Sequence, residues 1–135
     1  HVVCRRQRQM CIRDRKNFID ENIKLGINIF LEIDVQGFQQ LKLKNVEFRS
    51  IFILPPSIKE LRNRIQKRGL DSEDVIEKRM RNALKELNKA NEYDYLIINN
   101  VLDEAVKEML EIVKDKGFQD EMHDKKTKIL QDLLS

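Results

Sequence analysis

Apolar residues recur along the chain in alternating helix-like and strand-like patterns. Helical spacing covers residues 16–25, and Gly26 follows as a suitable C-terminal cap. Residues 27–33 form an almost continuous apolar run, which is typical of a parallel strand covered on both faces. A turn then leads into a short helix that ends near Leu43. The first part of the chain therefore predicts the order helix, strand, helix.

A second strand is predicted over residues 48–54, and the two prolines that follow stop it. Ser57 and Glu60 then match a capping box, which predicts the start of a helix. That helix breaks at Gly69, and a longer helix follows. Its buried stripe at steps of four and three residues consists of Ile76, Met80, Ala83, Leu87 and Ala90. Together the two helices predict a hairpin over about 57–91.

A third strand is predicted over residues 93–98, and a helix with apolar positions up to Val113 follows, closed by Gly117. Strands and helices alternate with short connections, so we expect an α/β fold with a parallel sheet flanked by helices. Residues 16–117 should form this domain. Residues 118–135 predict a tail whose weak amphipathic helix either docks on the domain or frays.

Composition fits a globular chain of one domain. Hydrophobic residues make up 41% and charged residues 36%, and no run of about eighteen apolar residues predicts a membrane span or a membrane partner. The formal net charge of +3 is concentrated in residues 1–15, which hold five arginines and one aspartate. Because the rest of the chain is nearly neutral, the charge gives no argument for a nucleic-acid partner.

Residues 1–15 differ from the rest in composition and show no periodicity. We expect this leader to be foreign to the domain or disordered; a transit peptide and an RNA-binding arm are the alternatives. Cys4 and Cys11 both lie in the leader, at a spacing that suits no zinc site. The remaining residues contain no cysteine, which fits a reducing compartment, and we expect a cytoplasmic protein.

Three arginines lie around the break in the predicted hairpin. Arg64 and Arg68 are one helical turn apart, and Arg79 is on the following helix. Guanidinium groups bind phosphate oxygens two at a time, and a swinging hairpin can bring them to a phosphate chain when substrate is present. The pattern favours a phosphate-binding lid; the alternative is a solvated hairpin whose arginines pair with carboxylates. The candidate carboxylates are Glu60, Glu73, Asp74 and Glu77.

Polar side chains also occupy the ends of two predicted strands, where ligands of parallel sheets bind. Alternation places Glu32 and Asp34 on the same side of the chain as the first strand ends. One carboxylate there can hold Mg²⁺ through water and another can accept N–H groups of a base, or one of them caps a helix or pairs with an arginine. Asn99 follows the third strand, and its amide suits a purine edge or an ordinary turn.

Four sequence stretches together resemble guanylate kinases. They are F-L-E-I-D-V-Q-G, F-I-L-P-P-S with E-L-R-N-R-I-Q-K-R-G-L-D-S, R-M-R-N-A, and E-Y-D-Y-L-I-I-N-N-V-L-D-E-A, in the family's order between about Lys16 and Val113. The resemblance implies a partial P-loop nucleoside monophosphate kinase fold with a helical lid. It also implies transfer of the γ-phosphoryl group of ATP to GMP with Mg²⁺, which gives ADP and GDP.

The resemblance implies roles for the candidate residues by motif position. Asp34 is similar to the aspartate that recognises guanine, Glu32 to the acidic position near Mg²⁺, and Asn99 to the asparagine near the adenine or ribose of ATP. The partners implied are ATP and GMP, and the resemblance leaves open whether the protein forms a homo-oligomer. The positions similar to the family's lid and phosphate-clamping arginines are Arg64, Arg68 and Arg79.

Two features of the family are missing from the sequence. The P-loop pattern G-x-x-G-x-G-K-S/T, whose backbone N–H groups and lysine cradle ATP phosphates, does not occur, and neither does the family's GMP-binding insert. We therefore expect the C-terminal portion of a guanylate kinase, inactive by itself. The alternatives are a non-catalytic guanylate-kinase-like interaction module and a nucleic-acid binder that uses the arginine-rich leader.

Overall fold

The structure is a computed structural model that describes residues 2–4, 16–44, 47–67, 69, 72–114 and 123–135. The chain forms two compact units, His1–Glu47 and Phe48–Ser135. Most of the predicted leader, the predicted site residue Arg68 and the predicted cap Gly117 lie outside the described residues.

The amino-terminal unit combines a two-stranded parallel sheet with two helices. Strand β1 (Val2–Cys4), in a stretch for which the sequence predicts no element, pairs with β2 (Ile29–Leu31). The helices are α1 (Lys16–Lys24) and α2 (Val35–Leu43), as the periodicity predicts. Residues of β2 are only half-buried, so the prediction of a strand covered on both faces is wrong for the described sheet, which has just two strands.

Helix α1 ends in a Schellman motif. Gly26 has a φ of 75°, a left-handed conformation that glycine adopts without steric cost. Its N–H donates to the carbonyl of Ile23 at 2.9 Å, and the N–H of Ile27 donates to the carbonyl of Asn22 at 3.0 Å. The predicted glycine cap is therefore confirmed, and it turns the chain from α1 towards β2.

The carboxyl-terminal unit is built on a second parallel pair. Strand β3 (Ile51–Leu54) pairs with β4 (Tyr95–Ile98) in register, which confirms the predicted parallel pairing. In chain order its helices are α3 (Ile58–Lys67), α4 (Glu73–Leu87), a 3₁₀ helix (Ala90–Glu92), α5 (Leu102–Lys114) and α6 (His123–Leu134).

Both strands of this pair begin later than the sequence predicts, and side-chain contacts at their amino ends explain the difference. The Asp94 carboxylate accepts the N–H and the hydroxyl of Ser50 at 2.8 and 2.7 Å, and the Ser50 hydroxyl accepts the N–H of Asp94 at 2.9 Å. Because the N–H of Ser50 and the N–H of Asp94 both donate to side chains, the regular ladder starts only at Ile51 and Tyr95, the residues that follow them.

The core of this unit lies against the β3–β4 pair. Leu54 and Leu96 are almost fully buried and belong to one cluster with Leu87 and Ala90 of the predicted α4 stripe. Leu130 and Leu133 of α6 belong to the same cluster. Of the two predicted behaviours of the tail helix, docking is therefore the one observed.

Candidate functional site at the carboxyl ends of the strands

Helix α3 begins directly beyond the carboxyl end of β3. The Ser57 hydroxyl accepts the N–H of Glu60 at 3.1 Å, which is the serine half of the predicted capping box. The Glu60 carboxylate contacts Arg64 one turn later. The cap therefore fixes where the helix starts, and that start places Arg64 near the strand ends.

Arg64 and Asn99 come together in the structure. The Nη2 of Arg64 donates to the backbone carbonyl of Asn99 at 2.9 Å. The N–H of Asn99 donates to the carbonyl of Leu54 at 2.8 Å, so Asn99 extends the ladder at the carboxyl end of β4. The guanidinium of Arg64 and the backbone of Asn99 thus meet where the parallel-sheet rule places a ligand.

A small cavity of about 190 Å³ opens at this point. Its walls are mostly apolar, and the polar residues among those that line it are Arg64 and Asn99. The lining residues are Ile53, Leu54, Pro55, Leu61, Arg64, Ile65 and Asn99. Apolar walls with a few convergent polar groups are typical of ligand sites, and a guanidinium at the rim favours an anionic ligand.

Glu60 and Arg64 form an ion pair at the edge of this cavity. The Nε of Arg64 lies 2.8 Å from Oε1 of Glu60, and the two side chains are 34% and 38% exposed. The hydrogen bond from Arg64 lowers the pKa of Glu60. Glu60 therefore carries its negative charge at neutral pH and holds the Nε edge of the guanidinium.

A second arginine joins the two helices of the predicted hairpin. Arg62 of α3 contacts Glu73 and lies 2.7 Å from Glu77, both on α4. Glu77, and after it Glu73, raises the pKa of Arg62. The predicted hairpin is therefore present. Three of its carboxylates, those of Glu60, Glu73 and Glu77, pair with arginines, as the alternative of a solvated hairpin predicts.

Arg79 lies on the exposed side of α4. It is not among the described residues that line the cavity. Its predicted role beside Arg64 thus stays a prediction, as does that of Arg68.

Glu32 and Asp34 lie in the amino-terminal unit, at the end of β2. Asp34 is the N-cap of α2, and its Oδ1 accepts the N–H of Gly37 at 2.8 Å. This contact is the helix cap, one of the alternatives that the sequence allows for the two carboxylates. The recognition of guanine by Asp34 stays a prediction. A Cβ at Gly37 would lie 3.2 Å from Cβ of Ile33 and 3.3 Å from Oδ1 of Asp34, so the glycine leaves the cap room to form.

The role of Glu32 beside a magnesium ion, held through water, stays a prediction. Among the described residues no group of three or more His, Cys, Asp or Glu side chains gathers to bind a metal directly. Mg²⁺ usually keeps several waters and binds through one or two carboxylates together with substrate phosphates. An exposed side chain such as Glu32 suits that mode.

The described helices include none that is both long and apolar enough to cross a membrane.

The sequence patterns predict no site function for Glu60 and Arg62. The i,i+4 spacing of Glu60 and Arg64 was a usable signal for their pairing. No comparable signal existed for Arg62, because its partners lie eleven or more residues away on another helix.

Comparison with known proteins gives one consistent family. The guanylate kinase family profile matches residues 9–116, starting inside the predicted leader, whose boundary stays a prediction. The guanylate kinase of Photorhabdus laumondii is 45% identical over 106 residues, 78% of this chain and 51% of that protein. That of Haemophilus influenzae is 42% identical over 118 residues, 87% of this chain and 57% of that protein. The chain spans about half the length of the curated relatives it matches.

Proposed function

The chain belongs to the guanylate kinase family, and on that premise we propose that the whole protein transfers the γ-phosphoryl group of ATP to GMP. The observation that supports this most is the meeting of Arg64 and Asn99 at the carboxyl ends of β3 and β4. It brings two residues with proposed roles, phosphate binding for Arg64 and contact with the adenine or ribose for Asn99, to the lining of one cavity. Two sequence motifs far apart in the chain supply these residues.

In the proposed reaction a phosphate oxygen of GMP attacks the γ-phosphorus of ATP. The bond from that phosphorus to the bridging oxygen breaks, so ADP leaves and GDP forms. Negative charge is spread over the transferring group in a loose transition state. A guanidinium placed at that charge stabilises it, and one arginine is worth on the order of 10³-fold or more in rate. We assign this role to Arg64, which lines the cavity and contacts Asn99.

The other candidate residues take the roles of the family motifs they match. Asp34 accepts hydrogen bonds from the N–H groups of guanine, and Asn99 contacts the adenine or ribose of ATP. Arg68 and Arg79 join Arg64 in the lid and bind phosphates.

Glu32 would hold Mg²⁺ through water. When bound, the ion would neutralise charge on the phosphate oxygens. A cytoplasmic location belongs to the same proposal, since residues 16–135 contain no cysteine.

A coupled assay of ATP-plus-GMP turnover tests the proposal. It should be run on this chain and on a version extended to the full length of the relatives. We expect turnover only in the extended version, because the P-loop pattern is missing from this sequence. A folded but inactive extended protein would contradict the kinase proposal and favour a non-catalytic interaction module.

A further inference from the structure

Two groups from different elements hold the guanidinium of Arg64. Oε1 of Glu60, one turn earlier on α3, accepts from Nε at 2.8 Å, and the Asn99 carbonyl accepts from Nη2 at 2.9 Å. A guanidinium has five N–H donors. Within the described part of the chain these contacts use two of them, so the remaining donors, on the terminal nitrogens, can bind a phosphate.

We propose that Glu60 is a positioning residue that orients Arg64 towards the phosphates of the bound nucleotides. This inference rests on the proposed kinase function and deepens it. It explains why the negatively charged Glu60 lies beside Arg64, although a carboxylate repels an anionic substrate.

The physical argument is preorganisation. A long arginine side chain loses rotamer freedom when it binds a phosphate, and a contact that already fixes it removes part of that loss. Glu60 contacts Nε, which fixes the plane of the guanidinium from the side of the aliphatic stem. Leu61 and Ile65 line the same cavity and restrict the space into which the side chain of Arg64 can move.

Glu92 provides a matched control. It pairs with Lys89 at 3.2 Å and is 35% exposed, close to the exposure of Glu60. Glu92 precedes β4 and so lies at the amino end of that strand, whereas Asn99 marks the carboxyl end. Substitution of Glu92 removes one negative charge from an ion pair of similar exposure. That pair lies at the end of β4 opposite to the cavity.

The test measures kcat and KM for ATP and GMP in the extended protein. Glu60→Ala should lower kcat by roughly 10- to 100-fold, because small misplacement of a transition-state contact is costly. Glu60→Gln should retain most of the activity, since its amide oxygen still accepts from Nε. Glu92→Ala should change kcat less than about twofold.

A double-mutant cycle then separates positioning from general stability. If Glu60 acts through Arg64, Glu60→Ala should cause little further loss in a protein that already carries Arg64→Ala. The midpoint of thermal unfolding should be similar in all variants.

Three results would overturn the positioning role: unchanged or faster turnover in Glu60→Ala, equal losses with and without Arg64, or equal losses in Glu60→Gln and Glu60→Ala. An inactive unsubstituted protein would instead overturn the proposed function and, with it, the role that rests on it.

Discussion

Asp34 holds the first turn of α2, and the same carboxylate is the proposed contact for guanine. The two roles can be separated because asparagine is as good an N-cap as aspartate. Asp34→Asn should leave the free energy of unfolding almost unchanged but raise KM for GMP, since its NH₂ group offers donors where guanine N–H groups need acceptors. Asp34→Ala should also lower the free energy of unfolding by about 1 kcal/mol. Urea unfolding and steady-state kinetics measure the two effects; an unchanged KM in Asp34→Asn would contradict the guanine role.

Glu60 should make a small contribution to acid sensitivity, because its ion pair with Arg64 is partly exposed. The hydrogen bond from Arg64 lowers its pKa below the ordinary value of 4.5 in the folded protein. A lowered pKa means that the contribution to stability is complete above pH 4.5 and is lost as the pH falls through the folded-state pKa. Subtracting the stability–pH curve of Glu60→Gln from that of the unsubstituted protein should show this loss on the acid side of pH 4.5. A flat difference would contradict the pairing in solution.

At the scale of elements, Arg62 should restrain the hairpin more than it stabilises the fold. Its contacts with Glu73 and Glu77 join α3 to α4, but all three side chains are at least 37% exposed, and exposed pairs contribute little to global stability. Arg62→Ala should therefore leave the unfolding midpoint nearly unchanged and speed amide exchange at the facing ends of α3 and α4. Hydrogen–deuterium exchange measures this, with Lys89→Ala as the control. Unchanged exchange in the hairpin would show that other contacts hold it.

The elements themselves were largely predictable, because each has a strong local signal. Gly26 and Ser57 mark helix ends, and the α4 stripe follows from its spacing. Local signals failed where contacts between side chains far apart in the sequence set the ends of an element. The ladder of β3 and β4 starts late because Ser50 and Asp94, 44 residues apart, bind each other. In α5 the sequence pattern gives Val113 as the last apolar position of the helix. The most buried residue of this helix is instead its neighbour, Ile112.

The same distinction holds for the candidate site. The rule that parallel strands present ligands at their carboxyl ends pointed to Asn99, and the arginine spacing pointed to Arg64. Their direct contact through the backbone carbonyl of Asn99 depends on the geometry of α3 over the strand ends. The partner of Arg62 likewise depends on how α3 and α4 pack, which spacing within one helix does not encode.

At the scale of the whole molecule, α6 should be required for stability. Leu130 is 1% exposed and shares a cluster with Leu54 and Leu96 of the strand pair, so its removal opens a cavity in the core. Leu130→Ala should lower the free energy of unfolding by about 2–5 kcal/mol. Lys128→Ala, at an exposed position of the same helix, should change it by less than about 0.5 kcal/mol. Urea unfolding of the extended protein compares the two; equal midpoints would mean that α6 contributes no core contacts in solution, whereas a large loss confined to Leu130→Ala would make the helix part of the folded domain.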